Sequence, residues 1–127
     1  MPTLPREFDI HERETGTYTA TVTGNDGVTP VPGASLASIT LTLYAIIAAG
    51  TVSFINSRDH QNVLNLNNVT IDGNGLLTWA IQVADTTLVE AALPFERHIA
   101  LFEWVTATGA AGKHEIILVV KNLSQAA

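Results

Sequence analysis

The sequence predicts an all-β fold, an antiparallel β-sandwich of seven to nine strands. Apolar and polar residues alternate with a period of two in several stretches, and residues 36–46 are a clear example. Clusters of Gly, Asn and Asp separate these stretches, as expected where strands reverse direction. No helical segment recurs between the strands, so the pattern favours a sandwich over a parallel sheet with helical crossovers.

Residues 94–123 carry the clearest hairpin signal in the chain. Two runs rich in β-branched and aromatic residues flank the small residues 109–112, which read Gly-Ala-Ala-Gly. Both faces of the two predicted strands are apolar, whereas a strand with one solvated face alternates cleanly. We therefore expect two central strands, whose outer face is covered by the chain's own arm and loops or by a neighbouring subunit.

The remaining strands follow from the same alternation. In residues 17–23, Tyr18, Ala20 and Val22 point inward between threonines, and in residues 36–46 the inward positions include Ile39 and Leu41. Further strands are predicted at 51–55, 69–71 and 76–81, the last two joined by a turn at residues 72–75.

One short helix is predicted near residues 85–91, before the last hairpin. Asp85 can cap it, Thr87 and Glu90 have the spacing of a capping box, and the helix must end before Pro94. A short helical corner before the penultimate strand is common in immunoglobulin-like sandwiches. The usual corner tyrosine and the Cys–Trp–Cys pattern of that fold are missing, so the sequence predicts a divergent immunoglobulin-like β-sandwich.

The chain is divided into an N-terminal arm, residues 1–16, and a single β-sandwich domain, residues 17–127. Two prolines and several charged residues mark the arm, in which Phe8 and Ile10 share one face of a short edge strand. The alternative is a solvated tail. We take Phe8, Ile10 and Arg13 as candidate contact residues for another protein.

Composition excludes several classes of function. Only 14% of the residues are charged, against roughly 25% in a typical chain, and a surface poor in Lys, Glu and Asp is typical of protein contacts. The net charge of −6 argues against nucleic-acid binding. There is no cysteine, no apolar run long enough for a membrane helix and no signal-peptide pattern, so a soluble, non-exported chain is expected.

No set of residues predicts catalysis, a metal site or a cofactor. With a turn near Ala110, His98 and His114 fall at opposite ends of the last hairpin and cannot share a metal ion. Ser57, Asp59 and His60 are too close in sequence to form a catalytic triad. Among the carboxylates of the hairpin, Glu96, Glu103 and Glu115, Glu103 lies between apolar neighbours and requires a partner.

The polar segment 56–61 is the most turn-like loop of the chain. Local pairing of Arg58 with Asp59 would make it an ordinary solvated loop. If it has a function, that function is recognition, because loop tips on a rigid sandwich commonly carry binding residues. Arg58, Asp59 and His60 are the candidate residues.

Four stretches, INSRDHQNVLN, VTIDGNGLLTW, VADTTLV and FERHIALFEW with GKHEIILVVKN, resemble the small immunoglobulin-like structural proteins of tailed bacteriophages. The resemblance implies a non-enzymatic virion protein assembled in the host bacterial cytoplasm. It is expected to be a capsid decoration (cement) protein that contacts the major capsid protein or other virion proteins and is oligomeric on the virion. The alternatives are a neck, tail or baseplate component, a module that binds host glycans and an adhesin-type domain.

Overall fold

The three-dimensional structure, a computed structural model, describes residues 6–23, 29–46, 50, 52–89 and 95–122. These residues form two 3-10 turns, Gly33–Ser35 and Val83–Thr86, and nine strands. The strands are β1 (Arg6–His11), β2 (Gly16–Thr21), β3 (Leu36–Ile46), β4 (Val52–Phe54), β5 (Gln61–Asn62), β6 (Val69–Ile71), β7 (Leu76–Ile81), β8 (Phe95–Thr106) and β9 (Ala111–Lys121). The predicted all-β, sandwich-like fold is confirmed.

The strands form two sheets. The larger sheet has the order β1-β9-β8-β3-β4, and β5 pairs with the same side of β3 as a second short edge segment. The smaller sheet has the order β2-β7-β6. Strands β3, β6 and β7 have the predicted bounds, and the 72–75 turn joins β6 to β7. β5 was not predicted, because two polar residues carry no alternation.

The predicted hairpin forms the centre of the larger sheet, with a turn two residues earlier than expected. His98 pairs with Leu118 and His114 pairs with Phe102, which corrects the predicted register. Gly109, with a φ of 89°, lies in the turn and donates its N–H to the carbonyl of Thr106. The chain reverses there because this left-handed conformation is favourable for glycine.

Strand β1 pairs with β9 in parallel and forms an edge of the larger sheet. The prediction of purely antiparallel sheets is therefore corrected. Within β1, Phe8 lies opposite Leu118 and Ile10 opposite Val120, both in parallel register with β9. Residues 6–11 of the predicted arm are therefore an integral strand of the larger sheet, in agreement with the predicted edge strand. Residues 1–5 lie outside the described residues.

The core lies between the two sheets. Trp79 of β7 meets Phe102 of β8 edge to face, with ring centroids 5.7 Å apart, and Tyr18 of β2 meets Phe8 of β1 in the same way at 6.3 Å. The fully buried apolar residues are Val63, Ile39, Leu41 and Leu43 of β3, Trp79 and Ile81 of β7, Ala100 and Phe102 of β8, and Ile116, Leu118 and Val120 of β9. Buried and less buried residues alternate along β3, β8 and β9, so the core uses one face of the larger sheet.

The predicted helix near 85–91 is instead a single 3-10 turn that begins at Val83. Asp85 does not precede it but occupies its third position, where its carboxylate accepts the backbone N–H of Gln82 at 2.8 Å in a capping box. Thr87 follows the turn with extended backbone angles, and Glu90 lies outside the described residues. Hydrogen bonds from polar partners to the Asp85 carboxylate hold this turn in place.

Candidate interaction surface

The face of the larger sheet that points away from the core carries an apolar patch. Strand register places Tyr44, Ile99 and Ile117 in one row across β3, β8 and β9, and Phe54 of β4 extends this row beside Tyr44. We define the outer patch as Tyr44, Ile46, Val52, Phe54, Ile99, Leu101, Ile117 and Val119. None of these eight side chains is fully buried. The face is therefore an apolar surface on the outside of the sandwich.

The patch is most exposed at its β4 corner. Ile46 is 59% exposed, Phe54 48% and Val52 46%, and Val52 pairs directly with Ile46 across the strands. Burying a side chain of this size completely is worth roughly 1.5–3 kcal/mol. A neighbouring surface that covers this corner would therefore gain several kcal/mol before the costs of association.

Ion pairs border the patch. The Arg97 guanidinium lies 3.6 Å from Glu7, and the Lys121 ammonium lies 3.8 Å from Asp9, both near the β1 edge. At the hairpin-turn end of the sheet, the Lys113 ammonium lies 3.9 Å from Glu103, which satisfies the expectation that Glu103 has a partner. These pairs are exposed or partly exposed, so each contributes little to stability. They give the patch a polar rim, as in protein–protein interfaces.

Glu115 is a half-buried carboxylate inside the patch. It lies directly opposite Leu101 across the strands, two residues before Ile117 on the same face of β9. Burial raises the pKa of the Tyr44 hydroxyl, and the negative charge of Glu115 raises it further. Among the described residues, no hydrogen bond or ion pair is formed by the Glu115 carboxylate.

A cleft of about 290 Å³, the hairpin-end cleft, opens at the hairpin-turn end of the same face, and its lining combines polar residues with Trp104, Val105 and Ala111. His60 lies at this cleft, with its Nε2 atom 3.8 Å from Glu103 and its Nδ1 atom 2.7 Å from Asp59. The hydroxyl of Thr40 and the ammonium of Lys113 complete a set of hydrogen-bonding groups. These side chains can form hydrogen bonds to a small polar ligand that fits the cleft.

The three predicted contact residues in the arm have different environments. Ile10 is only 4% exposed and belongs to the core, so it stabilises the sandwich and is not accessible to a partner. Phe8 is half-buried against Tyr18. Arg13 is exposed, in a tight turn with a φ of 56°, where its backbone N–H donates to the carbonyl of Thr86. The prediction is therefore corrected for Ile10, which is not accessible as a contact residue, whereas Phe8 and Arg13 remain candidates.

The predicted recognition loop is also corrected, because Arg58 is 1% exposed. Its Nε and Nη2 atoms donate to the two carboxylate oxygens of Asp85, at 2.6 and 3.2 Å. The local pair of Arg58 with Asp59 does not form. Asp59 and His60 are exposed and pair with each other. The loop thus divides into a buried anchor, Arg58, and an exposed tip, Asp59 and His60, of which His60 lines the hairpin-end cleft.

Two histidines take part in the fold through hydrogen bonds. The fully buried His98 donates from Nδ1 to the backbone carbonyl of Asp85 at 2.9 Å, and its Nε2 faces the Glu96 carboxylate at 2.5 Å. His114 stacks on Tyr18 and contacts its hydroxyl. Within the described part of the chain, no three His, Asp or Glu side chains are arranged to hold a metal ion.

Sequence reasoning missed the partners of Arg58 and the isolation of Glu115. Nothing within the segment 56–61 signals a partner 27 residues away. The two apolar faces of the last hairpin did signal an unusual outer surface, and the structure extends it onto β3 and β4.

Comparison with known proteins supplies no family assignment for this chain. No protein-family model matches it, and no curated protein is significantly similar to it. Over the described ranges, the structure contains no helix of the length and hydropathy needed to span a membrane.

Proposed function

We propose that this protein is a non-enzymatic structural component of a bacteriophage virion, and that it docks on the major capsid protein as a decoration protein. The observation that carries the proposal is the outer patch, an apolar surface across β3, β4, β8 and β9 with a rim of ion pairs. Apolar surfaces of this kind on small domains commonly mark protein contacts. The outer face of the last hairpin takes part in the contact.

The resemblance to immunoglobulin-like phage proteins supports the virion as the place of this contact. The low charged fraction of 14% supports protein contacts over more than one part of the surface. The neck, tail and baseplate offer the same kind of partner. We place the contact on the head, where a small sandwich with an apolar outer face can attach to the assembled shell.

A second candidate function, recognition of a host glycan, is favoured by the polar side chains of the hairpin-end cleft. His60, Glu103, Thr40 and Lys113 line it, together with Trp104 and Gly112. Glycan binding that is lost in His60→Ala and in Glu103→Gln would support this function. Arg58 is not a useful site for this test, because its substitution perturbs the fold.

The decoration proposal is tested by mixing the purified chain with purified heads of the phage that encodes it. Light scattering across a concentration series first gives the mass of the chain in solution, and sedimentation then measures binding to heads. We expect co-sedimentation that saturates at a fixed ratio. A chain with no affinity for heads would refute the decoration proposal and favour a neck, tail, baseplate or glycan-binding role.

A pair of matched variants tests whether the outer patch makes the contact. Phe54 and Val83 are each 48% exposed, but only Phe54 lies in the patch. Phe54→Asp is expected to weaken binding to heads at least tenfold, about 1.4 kcal/mol, because it places a charge in the apolar contact. Val83→Asp is expected to bind like the unmodified chain. Equal binding by both variants would show that the patch is not the docking surface.

A further inference from the structure

Among the described residues, Glu115 is the carboxylate that lies between residues of the outer patch, and its environment differs from that of the other acids on this face. Glu7, Asp9 and Glu103 each lie within 4 Å of a cation, at the rim of the patch. Glu115 lies inside the patch beside Leu101, and within the described ranges it has neither an ion-pair nor a hydrogen-bond partner.

Docking at this patch removes water from Glu115. A carboxylate loses much of its hydration when an apolar surface covers it, and this cost is offset only by a new charge partner or hydrogen-bond donor. The outer face itself cannot supply that partner without breaking another contact, because the nearest cation along β9, Lys113, already pairs with Glu103 at 3.9 Å. The partner surface must therefore supply it.

The cations of this face argue against a second copy of the chain as the occupant. Arg97, Lys113 and Lys121, the lysine and arginine residues of the described outer face, each pair with an acid of the same chain. A second copy could neutralise Glu115 only by taking a cation from one of these pairs, which would leave another carboxylate of the same face without a cation. The chain also carries a net charge of −6, which disfavours contact between two copies and favours a more basic partner.

We propose that the surface docked on the outer patch belongs to a different protein, and that it presents a lysine or arginine, surrounded by apolar side chains, that pairs with Glu115. This inference rests on the proposed function and specifies the chemistry of the partner. In a virion, the partner is a basic, apolar patch of a shell protein. The pairing fixes the orientation of the sandwich on that surface, since one buried charge pair defines a register that apolar contacts leave open.

The test compares Glu115→Gln with Glu7→Gln in the head-binding assay. Both substitutions replace a carboxylate of the same face by an amide of similar shape, but Glu7 belongs to the rim, 54% exposed and paired with Arg97. We expect Glu115→Gln to weaken binding at least tenfold, Glu115→Lys to abolish it and Glu7→Gln to change it less than threefold. Urea unfolding of each variant verifies that the fold is retained.

The outcomes separate this inference from the proposed function. If the unmodified chain binds heads and Glu115→Gln binds equally well, decoration stands and the inference is wrong. Tighter binding by Glu115→Leu would also overturn it, because the partner surface would then be purely apolar. A third outcome is that the chain does not bind heads but forms a dimer, and that Phe54→Asp dissociates this dimer. A second copy would then occupy the patch, which would refute both the decoration proposal and this inference.

Discussion

The buried pair between Arg58 and Asp85 makes a strong prediction about stability. Arg58 donates all five of its N–H groups: two to Asp85, and one each to Gln61 at 2.8 Å, the Asn67 carbonyl at 3.1 Å and Asn68 at 3.2 Å. One side chain therefore ties together the 56–61 loop, the 65–68 loop and the 3-10 turn Val83–Thr86. Its removal disturbs all three segments together.

The carboxylate of Asp85 is equally saturated. It accepts the two bonds from Arg58, a third from the Asn56 amide at 2.9 Å and a fourth from the Gln82 backbone N–H at 2.8 Å. Asp85 is fully buried, so Arg58→Met leaves an uncompensated charge inside the protein. Breaking a buried ion pair in this way typically costs about 3–5 kcal/mol, a large share of the roughly 5–15 kcal/mol that stabilises a typical domain.

Urea unfolding monitored by tryptophan fluorescence measures this loss directly, because the guanidinium carbon of Arg58 lies 5.9 Å from the ring centroid of Trp79. With a slope of about 2 kcal/mol per molar urea, the unfolding midpoint should fall by about 1.5–2.5 M. The control is Asp59→Asn, which alters an exposed acid of the same loop and should change stability by less than about 0.5 kcal/mol. Arg58→Lys retains the charge and should be intermediate, which keeps the test informative if Arg58→Met does not fold.

A double-mutant cycle tests the assigned mechanism. Replacing both residues, Arg58→Met with Asp85→Leu, removes the isolated charge and should cost less than the sum of the single substitutions. Additive losses would mean that the pair is not coupled. An Arg58→Met variant within about 0.5 kcal/mol of the unmodified protein would refute the buried-anchor interpretation and restore the loop as a candidate recognition site.

Two further predictions concern residues of the larger sheet, Gly112 and Tyr44. Gly112→Ala should destabilise the fold by about 1–3 kcal/mol, because the new Cβ would lie 2.5 Å from Nε1 of Trp104, whereas Gly73→Ala has open space and should be nearly neutral. In spectrophotometric titration, Tyr44 should ionise above its ordinary pKa of about 10, and Glu115→Gln should lower that pKa only partly, since burial is the larger cause. The pKa of Tyr44 is higher in the folded than in the unfolded state, so ionisation of Tyr44 opposes folding. The free energy of unfolding should therefore fall as the pH rises above about 10. If Tyr44 had the same pKa in the unmodified protein and in Glu115→Gln, an effect of Glu115 on this pKa would be excluded.

The sequence by itself determined most of the strands and the main hairpin. β3, β6 and β7 were predicted with their observed bounds, because alternation with a period of two is a local property of each strand. The two apolar faces of β8 and β9 also indicated an outer face covered either by the chain's own arm and loops or by a neighbouring subunit. The direction of β1 was not predictable in the same way, since Phe8 and Ile10 alternate identically in parallel and antiparallel pairs.

Only the tertiary structure decided which polar residues are buried. A loop with the composition of residues 56–61 is normally solvated, and Arg58 is buried because the turn at Val83–Thr86 brings Asp85 to within 2.6 Å of it. The environment of Glu115 is also decided by the tertiary structure. Lys113 forms its ion pair with Glu103 on the neighbouring strand, and Glu115 is left without a cation among the described residues. The alternation of apolar and polar residues is visible in neighbouring positions of the sequence. Whether a buried charge has a partner depends on groups that are distant in sequence and come into contact only when the sheets pack.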